Sequence, residues 1–276
     1  MEIGIQGVEG SFHNEAASSY FVDQEIAIQP FHDFRSLAKS IQAKEMDYGV
    51  MAIENTIAGT ILPNYALINE YDLKITGEIY TRIEMNLIAH KGKKAADLEQ
   101  VFSHPMALLQ CADYLANYPQ IKLTEYDDTA DSVKMIRDKG LENAGAIASK
   151  KAAEIFGMDI LESNIETNKK NYTRFLIMKS RMNGHDQIPQ KASLRVITKH
   201  DPGALADVLL IFKLNGINLT KIQSMPILGK PYQYAFNIDV VWEDYDNYKD
   251  ALTALNAKAE LVKVHGEYKK GNIPTV

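Results

Sequence analysis

The sequence holds one cysteine, Cys111, in 276 residues, which excludes an internal disulfide and any cysteine-rich zinc site. It has no surplus of positive charge: 30 Lys and Arg stand against 36 Asp and Glu, a net −6. Nothing electrostatic therefore invites nucleic acid or an anionic membrane. Long apolar runs are also missing. Stretches such as Val208–Phe212 span about five residues, against the roughly 18 that suggest a membrane span. The start, Met1-Glu2-Ile3, lacks a basic segment ahead of an apolar one, so no secretory signal is expected. What is present is ordinary globular material, 46% apolar and 24% charged, enough for a self-sufficient core. At roughly 150 residues per domain there is room for about two domains. A soluble, reduced, cytoplasmic protein is expected.

The first 180 residues alternate strand-like and helix-like segments. Ile3–Gln6, Glu25–Pro30 and Tyr48–Ile53 read as strands, with Phe12–Phe21 and Phe34–Lys44 as helices between them. Arg82–Ala89, Val101–Ser103, Leu123–Tyr126, Ala144–Ala148 and Thr173–Met178 continue the strands. Ala107–Asn117, Thr129–Lys139 and Lys150–Phe156 continue the helices. This alternation predicts an α/β fold with a mostly parallel sheet. Leu73–Ala89, passing between two groups of units, suggests two lobes around a cleft. The polar stretch 181–191, with Gly184 and Pro189, reads as a linker. Residues 192–276 then give a β-α-β-β-α-β order, the ferredoxin-like split unit.

Four segments can carry chemistry. GIQGVEGSFHNEAA places Gly4, Gly7 and Gly10 between a strand and a helix. The spacing fails the dinucleotide and phosphate-loop fingerprints, and leaves either an anion cradle or a tight turn of positive φ. Ala52–Thr60 puts Glu54, Asn55 and Thr56 at a strand's carboxyl end, where open α/β sheets bind ligands; a helix cap by Thr56 or Thr60 is the alternative. Val101–Pro105 repeats that layout, with Ser103 as either cap or ligand contact and His104 as either scaffold or acid–base group. Gln110 follows on the same helix. In Asn164–Met178, Thr173-Arg174-Phe175 opens an apolar strand; the guanidinium suits either a carboxylate or a surface ion pair.

Taken together, GVEGSFHNEAA, GVMAIENTIAGT, VFSHPMALLQC and NKKNYTRF make the chain resemble the monofunctional prephenate dehydratases essentially end to end. HDPGALADVL and GINLTKIQSMP resemble the small regulatory ACT domain of that family. The resemblance implies a two-lobed catalytic domain like the periplasmic binding proteins. Its first lobe would take about 1–77 plus 165–180 and its second about 78–164; a C-terminal ferredoxin-like ACT domain would follow. The implied reaction converts prephenate to phenylpyruvate with loss of carbon dioxide and water, without a cofactor. Thr173 would meet the departing hydroxyl and Arg174 would anchor a carboxylate. Asn55, Thr56, Ser103, His104, Gln110 and Phe175 would line the site, and the Gly10/Ser11 turn would offer N–H donors. Regulation by L-phenylalanine would involve Gly203, Ala204, Leu205, Asn218, Leu219, Ser224 and Pro226, in a homodimer or homotetramer. Two departures stand out: Met106 replaces the family's Gln after Ser-His-Pro, and Gln223-Ser224-Met225-Pro226 replaces its Glu-Ser-Arg-Pro. Arogenate as substrate, or a two-lobed binding protein without catalysis, are the competing readings.

Overall fold

Three separate sheets account for the strands of the computed structural model, which describes residues 1–181 and 188–274. The chain opens with β1 (Glu2–Gln6), α1 (Phe12–Tyr20), β2 (Ala27–Phe31), α2 (Phe34–Ala43), β3 (Tyr48–Asn55), β4 (Gly59–Thr60), α3 (Leu62–Glu70) and β5 (Lys74–Arg82). It crosses into a second lobe for β6 (Asn86–Ala89), β7 (Gln100–Ser103), α4 (Pro105–Gln110), α5 (Ala112–Leu115), β8 (Lys122–Glu125), α6 (Thr129–Lys139), β9 (Ala144–Ala148), α7 (Lys150–Phe156) and β10 (Asp159–Glu162). A second crossing returns it to the first lobe as β11 (Tyr172–Lys179). The C-terminal unit follows: β12 (Lys191–Ile197), α8 (Ala204–Leu214), β13 (Asn218–Ile227), β14 (Lys230–Val241), α9 (Tyr245–Lys258) and β15 (Leu261–Tyr268).

The sheet orders are β2-β1-β3-β11-β5 with β4 on β3, then β10-β6-β9-β7-β8, then β13-β14-β12-β15. The two lobes and the split C-terminal unit match expectation, but the mostly parallel sheet does not. β1 is parallel to β2 and β3, whereas β11 is antiparallel to β3 and β5. In the second lobe β7 is parallel to β8 and β9, and β6 is antiparallel to β9 and β10. A strand re-entering from the other lobe runs against the strands delivered by strand–helix turns, so each crossing introduces antiparallel pairing. The first crossing also comes later than expected, because β5 stays in the first sheet to Arg82. At the other boundary Lys191 already belongs to β12, and 182–187 of the expected linker lie outside the described residues.

Local signals explain most helix starts. Ser11, Asp33, Asp128 and Ser149 each accept backbone N–H bonds as N-caps. Gly140 and Gly157, in the left-handed region, end α6 and α7. α3 escaped the sequence reading because Ile61 at its start has no capping oxygen. The first sheet is covered on one face by Leu37, Ile41, Met51, Ile53 and Leu176, and on the other by Ala16, Ala17, Val50 and Phe175. Each fully buried Leu, Ile or Phe contributes about 1.5–3 kcal/mol relative to exposure.

The C-terminal unit docks through β15 along β5, where a Cβ on Gly266 would come 1.8 Å from the Ile75 carbonyl oxygen. Only glycine lets the two backbones approach this closely. Tyr268 reaches past it into the first lobe's core beside Leu73 and Ile75. Among the described residues no helix is long and apolar enough to cross a membrane.

Candidate active site

The carboxyl ends of β1, β3 and β7 and the starts of α1, α2, α4 and α6 converge on a cleft of about 420 Å³ between the lobes. This is where ligands collect in open α/β sheets. Its lining includes Ser11, His13, Asn55, His104, Gln110, Thr173 and Phe175.

Thr173 and Asn55 are brought side by side by an irregularity in the β3–β11 ladder. Thr173 pairs with Asn55 and Arg174 with Glu54, but Phe175 pairs with Ala52, leaving Ile53 as the extra residue. In a regular strand Ala52 and Asn55 would face opposite ways. The bulge turns both toward the cleft while Ile53 stays in the core. Asn55 Nδ2 donates to Thr173 Oγ1 at 3.0 Å and to Asn171 Oδ1 at 2.7 Å. Asn55 Oδ1 accepts from the Ile57 and Ala58 N–H groups at 2.9 and 2.8 Å. Only oxygen can accept both, so the amide's orientation is determined. Thr173 therefore receives a hydrogen bond from Asn55 and keeps its own proton for a partner in the cleft.

The same strand sends Arg174 the other way. Alternation along β11 places Thr173 and Phe175 toward the cleft and Arg174 toward the C-terminal unit. There Arg174 Nε donates to Glu78 Oε2 at 2.6 Å, Nη1 to Asp239, and Nη2 to the Tyr268 hydroxyl at 3.1 Å. Lys191 Nζ lies 2.8 Å from Glu78 Oε2, and Ser193 donates to Asp239. All six residues are buried. Burial opposes the Arg174 charge, but Asp239, Tyr268 and Glu78 outweigh it and hold its pKa above the ordinary value. Burial likewise pushes the Asp239 carboxyl up, and the Arg174 and Lys191 charges reverse this and bring it below the usual range. The expected carboxylate anchor is thus an interdomain ion-pair residue.

Other expectations also change. Ser103 is fully buried and donates to the Ile147 carbonyl at 2.6 Å, outside the cleft lining. Thr56 donates to the Lys170 carbonyl and accepts from Tyr172 N–H, which latches the entry to β11. The N–H groups of the Gly10/Ser11 turn are occupied: Gly10 donates to Asn14 Oδ1 and Ser11 to the Val8 carbonyl. Gly10 has φ +84° and packs on the Ala152 backbone across the lobes, so the tight-turn reading of the glycines holds there. His104 does line the cleft, and its Nδ1 caps Met106 N–H at 3.2 Å. Gln110 lines it too, its Oε1 accepting from Asn171 Nδ2 at 2.8 Å.

The lining carries no lysine or arginine among the described residues. Positive potential there comes from helix N-termini, each equivalent to roughly half a charge. Asp33 and Asp128 cap α2 and α6 and offset those two ends, whereas α1 has the neutral Ser11 as its cap, with Glu15 the acidic residue of its first turn. Burial raises the Asp128 carboxyl above its ordinary value, with its capped N–H groups pulling the other way. His13, which the sequence reading passed over, sits in the first turn of α1. Its ring stands edge-on to Phe175, and its Nε2 accepts from Ala52 N–H at 3.3 Å. Burial pushes its pKa down to about 3, so at neutral pH the imidazole is uncharged, with its proton on Nδ1.

The effector residues divide within one chain. Gly203, Ala204 and Leu205 line a hollow of about 220 Å³ with His200 and Tyr234. Asn218 lines another with Trp242, beyond the far end of α8, an 11-residue helix about 16 Å long. Leu219 packs toward the unit's core, and Ser224 and Pro226 are exposed on β13.

Residues 3–183 match the family described as prephenate dehydratase. A bifunctional chorismate mutase/prephenate dehydratase from Aquifex aeolicus is 34% identical over 98% of this chain and 74% of its own length. The prephenate dehydratase of Staphylococcus aureus superposes with a TM-score of 0.83 at 27% identity, covering 98% of this chain and 100% of that one. GqqA, described as a novel type of quorum quenching acylase, gives 0.87 at 27% identity over 98% of both chains.

Proposed function

The chain belongs to the prephenate dehydratase family, and from that premise we propose that the cleft carries out the family's reaction with Thr173 as its central donor. Prephenate dianion gives phenylpyruvate, carbon dioxide and hydroxide, and one proton taken up turns the hydroxide into water. The electron pair of the breaking carbon–carboxylate bond enters the ring and expels the ring hydroxyl across it. Negative charge therefore develops on that oxygen, where a hydrogen-bond donor acts most strongly. The observation that carries this reading is Thr173's hydroxyl, held as an acceptor by Asn55 and left with its own proton for the cleft.

The retained side-chain carboxylate fits the α1 N-terminus, and the ring packs between apolar surfaces including Phe175. The carboxylate that leaves meets no guanidinium among the described residues of the lining, and a tight clamp there would stabilise the ground state more than the transition state. Acyl transfer, the chemistry named for GqqA, needs a nucleophile beside a base. Here the Ser11 hydroxyl caps Asn14 N–H, and among the described residues no imidazole is hydrogen-bonded to it or to Thr173.

Regulation by L-phenylalanine through the C-terminal unit belongs to the same proposal. The hollow at Gly203–Leu205 would be completed by the Asn218–Leu219 end of a second copy, which brings together residues that one chain keeps apart. The test is incubation with prephenate and, separately, arogenate, each with and without L-phenylalanine, while sedimentation reports association. Phenylpyruvate formation from prephenate supports the reading, and inhibition by L-phenylalanine supports its regulatory half. Turnover of arogenate alone replaces the substrate; binding of either without turnover favours a binding protein.

A further inference from the structure

We propose that Asn171 is a positioning residue that relays the hydrogen-bond polarity fixed at Asn55 to the other side of the cleft, making Gln110 a donor toward the substrate beside Thr173. The inference rests on the dehydratase reading above and goes beyond it by assigning a residue that touches no substrate. Asn171 is fully buried and absent from the cleft lining. Its backbone carbonyl accepts from Ile83 N–H at 2.8 Å, which ties together the two crossings between the lobes.

The polarity follows from one end of the chain of amides. Two backbone N–H groups require that Asn55 present oxygen to them, so its NH₂ faces Thr173 and Asn171. Asn171 must then turn its oxygen to Asn55 and its NH₂ to Gln110. Gln110 in turn presents Oε1 to Asn171, which leaves its own NH₂ for the cleft it lines. Asn55 stands on the first lobe and Gln110 on the second. One buried amide thus passes the polarity set at Asn55 on the first lobe to Gln110 on the second, and any single flip would set donor against donor.

The test is Asn171→Asp beside Asn171→Ala, with kcat and KM for prephenate followed across pH and folding checked by circular dichroism. An ionised Asp at 171 only accepts, so Gln110 must rotate its NH₂ away from the cleft. A protonated Asp accepts from Asn55 and donates to Gln110, which restores the wild-type polarity. Asn171→Asp should lose roughly 10- to 100-fold in kcat at neutral pH, short of the 10²–10³ for deleting a donor outright. It should regain activity on acidification, with a smaller change in KM, while Asn171→Ala stays low throughout. Wild-type kcat in Asn171→Asp, or equal pH-independent losses in both variants, would overturn the proposal. Should Asn171→Asp not fold, Gln110→Glu tests the same polarity: it keeps the acceptor for Asn171 and removes the cleft donor, so unchanged kcat overturns it. The wild type is run alongside. If it makes no phenylpyruvate the parent reading fails, and this inference with it; if it turns over while the variants are unaffected, this inference alone fails.

Discussion

Replacing Arg174 should damage stability far more than substrate binding. The buried cluster balances two cations, Arg174 and Lys191, against two anions, Glu78 and Asp239. Arg174→Ala removes three side-chain hydrogen bonds and leaves Lys191 alone between two buried carboxylates. Breaking a buried pair by deleting one partner costs about 3–5 kcal/mol, because the remaining charge stays out of water. At about 2–4 °C per kcal/mol for a chain of this size, the unfolding midpoint should fall by roughly 6–20 °C. Arg174→Lys keeps the charge but cannot reach Glu78, Asp239 and Tyr268 together, so it should fall between Ala and wild type. Differential scanning fluorimetry gives the midpoints, and steady-state kinetics below the midpoint gives KM, which should stay near wild type. A severalfold rise in KM for Arg174→Lys with an unchanged midpoint would refute this assignment and return the guanidinium to the substrate.

Thr173→Ala should lower kcat by about 10²–10³, or roughly 2.7–4 kcal/mol, with a smaller change in KM, and Thr173→Ser should recover much of it; initial-rate kinetics checks both. His265 is buried, and its pKa is pushed down to about 4, by burial first and then by Lys263 and Lys74. The unfolded state binds a proton there between pH 6.5 and 4 that the folded state does not. Stability should fall as pH drops through that window, and less steeply in His265→Phe, as pH-dependent thermal unfolding will show. Cys111 is fully buried with its pKa pushed up to about 12 by burial. It should resist a thiol reagent in the folded protein and react once denaturant opens the second lobe, by a spectrophotometric thiol assay.

Most strands and helices could be read from periodicity and capping residues. The C-terminal β-α-β-β-α-β order was legible because its turns carry Gly216 and Gly229 at positive φ. What failed were properties that no local pattern encodes. Antiparallel pairing of β11 arises from where the chain crosses between lobes, which no window of sequence records. The motif around Thr173 identified the right strand, and period-two alternation already implied that Thr173 and Arg174 face opposite ways. Which of them met the cleft depended on a domain packed behind the sheet. Asn55 is the converse: simple alternation puts it on the core face with Ile53, and only the bulge turns it outward. His13 had a usable signal, since it sits two residues past a serine cap at a strand's end. Asn171 had one as well, being two residues before Thr173.

The close backbone approach that Gly266 permits beside Ile75, where an added Cβ would meet the carbonyl oxygen, bears on how the molecule can be cut. The C-terminal portion is no detachable module, because its last strand is fitted to a groove that only a side-chain-free residue can enter. Removing it would bare Glu78 and Arg174 to solvent and strip Tyr268 from the neighbouring interior. A fragment ending near residue 181 would therefore need those exposed positions redesigned before its turnover could be compared fairly with the intact chain.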